Sequence, residues 1–250
     1  MRTIRYLVFV FGALGAMTDT VSAQALPWED RGFFNIGVGA QTGSNDFTHD
    51  ITFDRYGETA TFTEQHPVSG GTLFDVAGGA RVWQNLGVGV GVTRMSDTTD
   101  VTVAGLVPHP LFFNQLRGTT AQASGLERTE TAVHIQALWM FVVTEQIDVA
   151  LSLGPSFFSV SQDVVSGVTV TEGSPPFDTV AGASASVGRA DDSGVGFNIG
   201  ADVTYMATPN IGGGLFLRYT AASVDLATGD GTIASDAGGF QVGIGLRARF

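Results

Sequence analysis

The chain has 250 residues, among them 34 Gly and 18 Phe, with no Cys and only 14% charged residues. Every basic residue is Arg, and 24 acids against 12 bases give a formal net charge of -12. A disulfide framework, a thiolate metal site and a cysteine nucleophile are excluded, and an acidic chain with no basic run is not a nucleic-acid binder.

The polar fraction is too low for a disordered chain. Beyond the N-terminal segment the longest apolar run, Ala137 to Val143, falls far short of the roughly 20 residues of a spanning helix. A helical membrane protein is therefore excluded as well.

Residues 1–23 read as a signal peptide. Arg2 and Arg5 form a positive start, Tyr6 to Met17 an apolar stretch, and Val21-Ser22-Ala23 a small-residue cleavage site. The expected mature domain is 24–250. Export without Cys suits a bacterial envelope protein whose stability needs no disulfide.

Eight segments then alternate with period two, one face apolar and the other Gly, Ala or polar. In chain order the apolar faces carry Phe34, Ile36 and Val38, then Phe74, Val76 and Val82, then Leu86, Val88, Val90 and Val92. Val133, Ile135, Trp139 and Phe141 follow, then Ile147, Val149, Leu151 and Leu153, then Val195, Phe197, Ile199, Val203 and Tyr205. The last two are Ile211, Leu215, Leu217 and Tyr219, and Phe240, Val242, Ile244, Leu246, Ala248 and Phe250.

Connections at Gln84-Asn85, Thr144-Glu145-Gln146 and Ala207-Thr208-Pro209-Asn210 are tight turns. The others, about 43–71, 95–128, 159–193 and 224–237, are long, and long and short connections alternate. That pattern predicts an all-β fold: an eight-stranded antiparallel transmembrane β-barrel with short periplasmic turns and long external loops. A soluble barrel would carry its large apolar residues inside. Here they form one uniform face opposite a Gly-rich face with buried-type charges, so the expected barrel is inside out.

A sheet in lipid cannot leave an unpaired edge, so the first and eighth strands must pair. Phe33, Trp83, Trp139, Phe141, Tyr205 and Phe250 are placed to form the periplasmic aromatic girdle, with Phe157 and Tyr219 in the other.

With this strand pattern, Gly154-Pro155-Ser156-Phe157-Phe158, Gly196-Phe197-Asn198 and the terminal Gly245-Leu246-Arg247-Ala248-Arg249-Phe250, the chain resembles the small outer-membrane β-barrels of Gram-negative bacteria, the superfamily around the outer membrane protein A membrane domain. The resemblance implies residence in the bacterial outer membrane, contact with its lipid and lipopolysaccharide, and insertion by the barrel-assembly machinery. It further implies that Phe240, Val242, Ile244, Leu246 and Phe250, on one face of the last strand, are read as an assembly signal. The chain departs from outer membrane protein A in ending with that strand, so wall tethering is not implied.

The inward acids are Asp75, Glu130, Asp148 and Asp202, and the inward bases Arg81, Arg218, Arg247 and Arg249. Four against four predicts an internally neutralised plug rather than an ion path, since buried charges need partners. In a simple hairpin register Arg81 faces Gly89 and Phe216 faces Gly200. His134 is the histidine within a span. It lies roughly 14 Å along the strand from Glu130, with Ser152 and Ser156 on the neighbouring strand. A serine hydrolase needs Ser, His and an acid in contact, and an inward His is badly placed for lipid chemistry.

His49, His66 and His109 show no ligand spacing, so neither a metal nor a cofactor is expected. The acidic stretches around Asp191-Asp192 and around Asp225, Asp230 and Asp236 read as solvated loops. Val107-Pro108-His109-Pro110-Leu111-Phe112-Phe113 is expected to fold over the barrel mouth against Phe158, or else to form an adhesive patch. The sequence thus predicts a non-catalytic barrel with a structural or surface-interaction role. The alternatives are a narrow pore or carrier for a small or hydrophobic solute, and a lipid-modifying enzyme.

Overall fold

The computed structural model describes residues 28–43, 46–67, 69–228 and 231–250. The expected signal peptide and Asp230 lie outside the described residues.

The strands are β1 (Gly32–Gln41), β2 (Phe47–Arg55), β3 (Glu58–His66), β4 (Gly71–Trp83), β5 (Leu86–Pro108), β6 (Leu116–Val142), β7 (Ile147–Glu172), β8 (Val180–Met206), β9 (Ile211–Thr228) and β10 (Gly231–Arg249). β1, β4, β5, β6, β7, β8, β9 and β10 pair antiparallel in a closed ring. β1 meets β10 from Phe33↔Arg249 to Gln41↔Gln241, and the Phe250 carbonyl accepts from the amides of Arg31 and Gly32 at 2.7 and 2.8 Å. No backbone edge is left in the belt, which is the closure a bilayer demands.

The outer surface of the lower ring is an unbroken apolar belt. Val90, Ile135, Leu153, Ile199, Leu217 and Ile244 are all exposed there. Along β7 the belt runs from Ile147 to Phe157, about 25 Å in height at ordinary rise and tilt. Trp83, Trp139, Tyr205 and Phe250 are exposed at its lower rim as expected. Phe33 is not. It is 6% exposed, turned inward beneath the Arg249 guanidinium, because the lipid face of β1 belongs to Phe34, Ile36 and Val38.

The long connections are built largely of strand. The stretch read as a loop from 43 to 71 contains the β2–β3 hairpin, turned at Tyr56-Gly57 with both φ positive (56° and 77°), the geometry of a two-residue type I′ turn. This hairpin pairs with the upper part of β5 from Thr61↔Leu106 to Glu64↔Val103, above the point where β4 ends. β5 to β10 likewise continue upward, so β6 rises roughly 35 Å from Glu130 to Leu116.

In this upper tower the apolar face changes sides. On β5 the even residues Val88, Val90 and Val92 face outward below, whereas the odd residues Val101, Val103 and Val107 are buried inside above. On β6 a bulge at Gly125 (φ +71°) shifts the inward set from even numbers, ending at Leu126, to odd ones, burying Ala123 and Ala121. The barrel is therefore inside out in its belt and conventionally packed in its tower.

Two registers differ from a simple hairpin count. A bulge at Val82 opposes Arg81 to Gly87, and the β8–β9 turn centres on Pro209, opposing Phe216 to Asp202.

Candidate functional site: a packed polar lumen beneath a tower of strands

The lumen is layered. Its floor is Trp28, Phe33, Leu138, Met140 and Ala150, a small apolar stopper at the end with the short turns. Leu73, Met95 and Phe216 pack together within the barrel. Above, Phe158, Val160, Val164, Val224, Leu226 and Ile233 form a larger cluster, and Phe62, Val103, Val107, Leu126 and Val165 fill the tower.

Buried polar groups fill what remains. Arg249 approaches Asp148 at 3.5 Å and donates to Thr204 Oγ1 and Asn35 Oδ1, both at 3.2 Å. Arg247 pairs with Asp202 at 2.5 Å and Arg218 with Asp75 at 2.8 Å. Gly200, opposite Arg218 on the neighbouring strand, leaves room for that guanidinium. Between these pairs lies a cavity of about 40 Å³, lined by Asp75, Gln136, Ser152, Asp202, Arg218 and Arg249 among others. It has room for a few waters, not for a solute.

Two members of the expected four-against-four set pair differently. Arg81 donates to the main-chain carbonyl of Trp28, tying the N-terminal segment into the floor. Glu130 is neutralised by Arg128, at 2.7 Å, which stands at the end of the stretch expected to be loop. Glu130 also accepts from Gln41 Nε2 at 2.8 Å and the Gly238 amide at 3.0 Å, and Gln241 joins the chain by donating to Gln41 Oε1 at 2.8 Å. Gln41 and Gln241 were legible as inward positions of their strands. Arg128 and its acceptors Gln162 Oε1 and Ser235 Oγ were not, because their strands were cut short.

His134 has no exposed surface. Its Nδ1 lies 2.7 Å from Ser156 Oγ and its Nε2 3.0 Å from Thr93 Oγ1, while Asn198 Nδ2 donates to Ser156 Oγ at 2.9 Å. Both ring nitrogens thus lie within hydrogen-bond reach of a hydroxyl. Glu130 is not in the cluster. A serine nucleophile needs an orienting carboxylate on the far ring nitrogen and a path for substrate. Here a threonine occupies that place and Ser156 is fully buried. The cluster satisfies buried polar groups and ties β5, β6, β7 and β8 together.

At the far end three hairpin tips meet on Glu172. Its carboxylate accepts from Arg117 at 2.6 and 3.1 Å, pairs with Arg55 at 3.1 Å and accepts from the Tyr56 hydroxyl at 3.0 Å. The Arg117 hydrogen bonds, then the Tyr56 hydroxyl and the two guanidinium charges, hold the Glu172 carboxyl below its ordinary range against the opposing effect of burial. Arg117 also donates to the Pro108 carbonyl at 2.6 Å and the Phe177 carbonyl at 3.0 Å.

The apolar stretch 107–113 is split by this arrangement. Val107, Pro108 and His109 are buried, with His109 Nδ1 accepting from the Leu111 amide at 3.1 Å. Leu111, Phe112 and Phe113 are exposed at 64%, 55% and 72%. They do not cover Phe158, which the tower strands already bury. Lower on the tower Asp225 N donates to Asp192 at 2.7 Å, and among the described residues no group of three or more His, Asp or Glu is arranged to hold a metal ion.

Neither the protein-family models nor the curated proteins contain a match to this chain. Solved structures do resemble it. They include the outer membrane protein OprG from Pseudomonas aeruginosa, at 10% identity and TM-score 0.47 over 88% of this chain and 96% of that one. Neisserial surface protein A is similar at 14% identity and TM-score 0.42, over 88% and 96% of the two chains. The attachment invasion locus protein of Yersinia pestis is similar at 12% identity and TM-score 0.36, over 87% and 99%. At these identities the likeness extends to barrel architecture and not to activity.

Proposed function

We propose that this chain is an integral barrel of the bacterial outer membrane, non-catalytic and non-conducting, whose tower is the working surface. The observation that supports this reading is the pair of apolar clusters inside the barrel, Trp28 and Phe33 below and Phe158, Leu226 and Ile233 above. A path for ions or solutes would have to pass both apolar clusters and the Arg249–Asp148 pair beside the lower one.

The unbroken belt supports a membrane location, because apolar surface of that extent has no place in water. Export by residues 1–23, contact with outer-membrane lipid and lipopolysaccharide, and insertion by the assembly machinery belong to the same reading. The tower supports a surface role. It invests about half of the longest strands in a rigid structure beyond the bilayer, polar outside and packed within.

Two measurements test the proposal. The protein is expected to sediment with outer-membrane fragments and resist carbonate extraction, and to give no steady openings in planar bilayers. A soluble periplasmic monomer removes the membrane reading, and reproducible unitary conductance removes the sealed-lumen reading.

A further inference from the structure

Most of the tower's exposed large apolar side chains stand in one place, with Val187 on β8 apart from them. Outside the belt, the large apolar side chains that stand out in water are concentrated at the summit: Leu106 on β5, Leu116 on β6, and Leu111, Phe112 and Phe113 in the turn between them. Leu106 lies opposite Gly118 and Leu116 opposite Pro108, so the two leucines are diagonal neighbours on the outer face of one sheet and the turn continues the ridge upward. The turn is not loose. The Asn114 amide donates to Glu58 Oε1 at 2.9 Å and the buried His109 ring packs on Phe112 at 4.9 Å.

The surroundings of the ridge are acidic. Asp50 and Asp54 are exposed on β2, two strands to one side, and accept from Thr63 and Thr59. Asp178, its side chain 67% exposed, stands on the other side in the β7–β8 tip, 3.8 Å from the His109 ring. The nearby cations Arg55 and Arg117 are both held by Glu172. Among the described residues no arginine pairs with Asp50, Asp54 or Asp178.

An apolar ridge flanked by carboxylates without arginine partners selects a complement that is apolar along one line and positive beside it. We propose that the summit is a docking surface for a cationic amphipathic peptide segment of a partner protein. Its apolar side chains would cover Leu106, Phe112, Phe113 and Leu116, with basic side chains on Asp50, Asp54 and Asp178. The inference rests on the surface role proposed above and names its partner class. Aromatic side chains at the centre of the patch supply most of the affinity, while the flanking carboxylates set sign and approach rate.

The test uses the full mature barrel in phosphatidylcholine nanodiscs and a fluorescent peptide alternating leucine and lysine, with empty discs subtracted. Leucine–glutamate and serine–lysine peptides serve as controls. The expected result is saturable binding of the leucine–lysine peptide alone, weakened by salt. Phe112→Ser with Phe113→Ser should weaken it by about tenfold or more. Asp50→Asn with Asp54→Asn, which leaves the apolar ridge intact, should reduce both the affinity and its salt dependence. Equal binding of the glutamate peptide, equal binding by either variant, or binding no greater than to empty discs overturns the proposal. Self-association of the protein that is lost in the Phe112/Phe113 variant would assign the ridge to a second copy instead. A silent barrel that ignores the peptide loses this inference alone, whereas steady conductance strikes the sealed-lumen reading.

Discussion

Arg128 and Glu130, two residues apart on the inner face of β6, form an ion pair at 2.7 Å at the level where the outer face of the strand passes from Val133 to polar residues. The pair marks the boundary between two ways of packing the same strands. Below it the outer face is apolar and the lumen holds the charge pairs, and above it the outer face is mostly polar and the interior mostly apolar. A charge pair is stable there because main-chain and side-chain partners surround it: Gly238 N and Gln41 for the carboxylate, Gln162, Ser235 and the Asp236 carbonyl for the guanidinium.

Arg128→Met strands the Glu130 carboxylate, 3% exposed, without a cation. Removing one partner of a buried pair costs about 3–5 kcal/mol, whereas removing both is often near neutral. Denaturant unfolding in lipid vesicles should therefore show a large loss for Arg128→Met and substantial recovery when Glu130→Gln is added. Equal stability of the single variant and the wild type would mean that water reaches the pair.

The two faces of β5 should respond unequally. Val90→Arg places a charge on the 53% exposed lipid side and should cost about 2–4 kcal/mol if near the midplane. Gly91→Ser points inward, where an added Cβ meets Ala77 at an ordinary 3.5 Å, and should cost much less. Comparable losses in urea titrations at the two positions would show the assigned faces to be wrong.

The belt was legible in the sequence and the tower was not, for one physical reason. In the belt the apolar set of each strand holds a single parity, as Val88, Val90 and Val92 do. In the tower the apolar set moves to the opposite parity, and the outward positions become Ser, Thr and Asp, which read as loop. On β6 the bulge at Gly125 breaks the count again. The Arg218–Asp75 and Arg247–Asp202 pairs could be anticipated as inward charges, but not their partners across the barrel, which depend on closure. Glu172 and Arg117 gave no signal at all, since their meeting depends on three hairpins reaching the same height.

The Gly125 bulge carries its own test. At φ +71° an added Cβ meets nothing within 4 Å but strains the backbone, so Gly125→Ala should destabilise the tower by about 1–2 kcal/mol. The belt should be unaffected. Limited proteolysis should detect cleavage in β5 and β6 above the membrane while the heat-resistant barrel persists on gels.

Glu172 makes summit stability depend on pH. Its folded-state pKa is depressed, so it stabilises the joined tips above the ordinary carboxylate range, near pH 4.3, and that contribution is lost as pH falls through the lower folded value. Hydrogen exchange at the tips of β2–β3 and β7–β8 should accelerate on acidification through that window. Glu172→Gln should exchange fast at neutral pH and lose the dependence. A variant that keeps the wild-type profile would place the titrating group elsewhere.

The final strand separates packing from recognition. Phe250 closes the ring through its main chain: its carbonyl accepts from Arg31 and Gly32, and its amide donates to Gly32 O at 3.1 Å. Its ring is 67% exposed and lies over Gly32, where a Cβ would come within 2.6 Å of it. Phe250→Ala therefore preserves all three closing hydrogen bonds and removes only a rim aromatic. If the assembly machinery docks the terminal strand by edge pairing and reads Phe240, Val242, Ile244, Leu246 and Phe250 by their alternation, loss of the ring should impair insertion in cells. Protease-sensitive chains should then accumulate in the periplasm. Refolding of purified protein into detergent should be much less affected, because neither closure nor lumen packing involves that ring. If cellular assembly and refolding slow by the same factor, Phe250 acts through packing on Gly32 and the recognition role is lost.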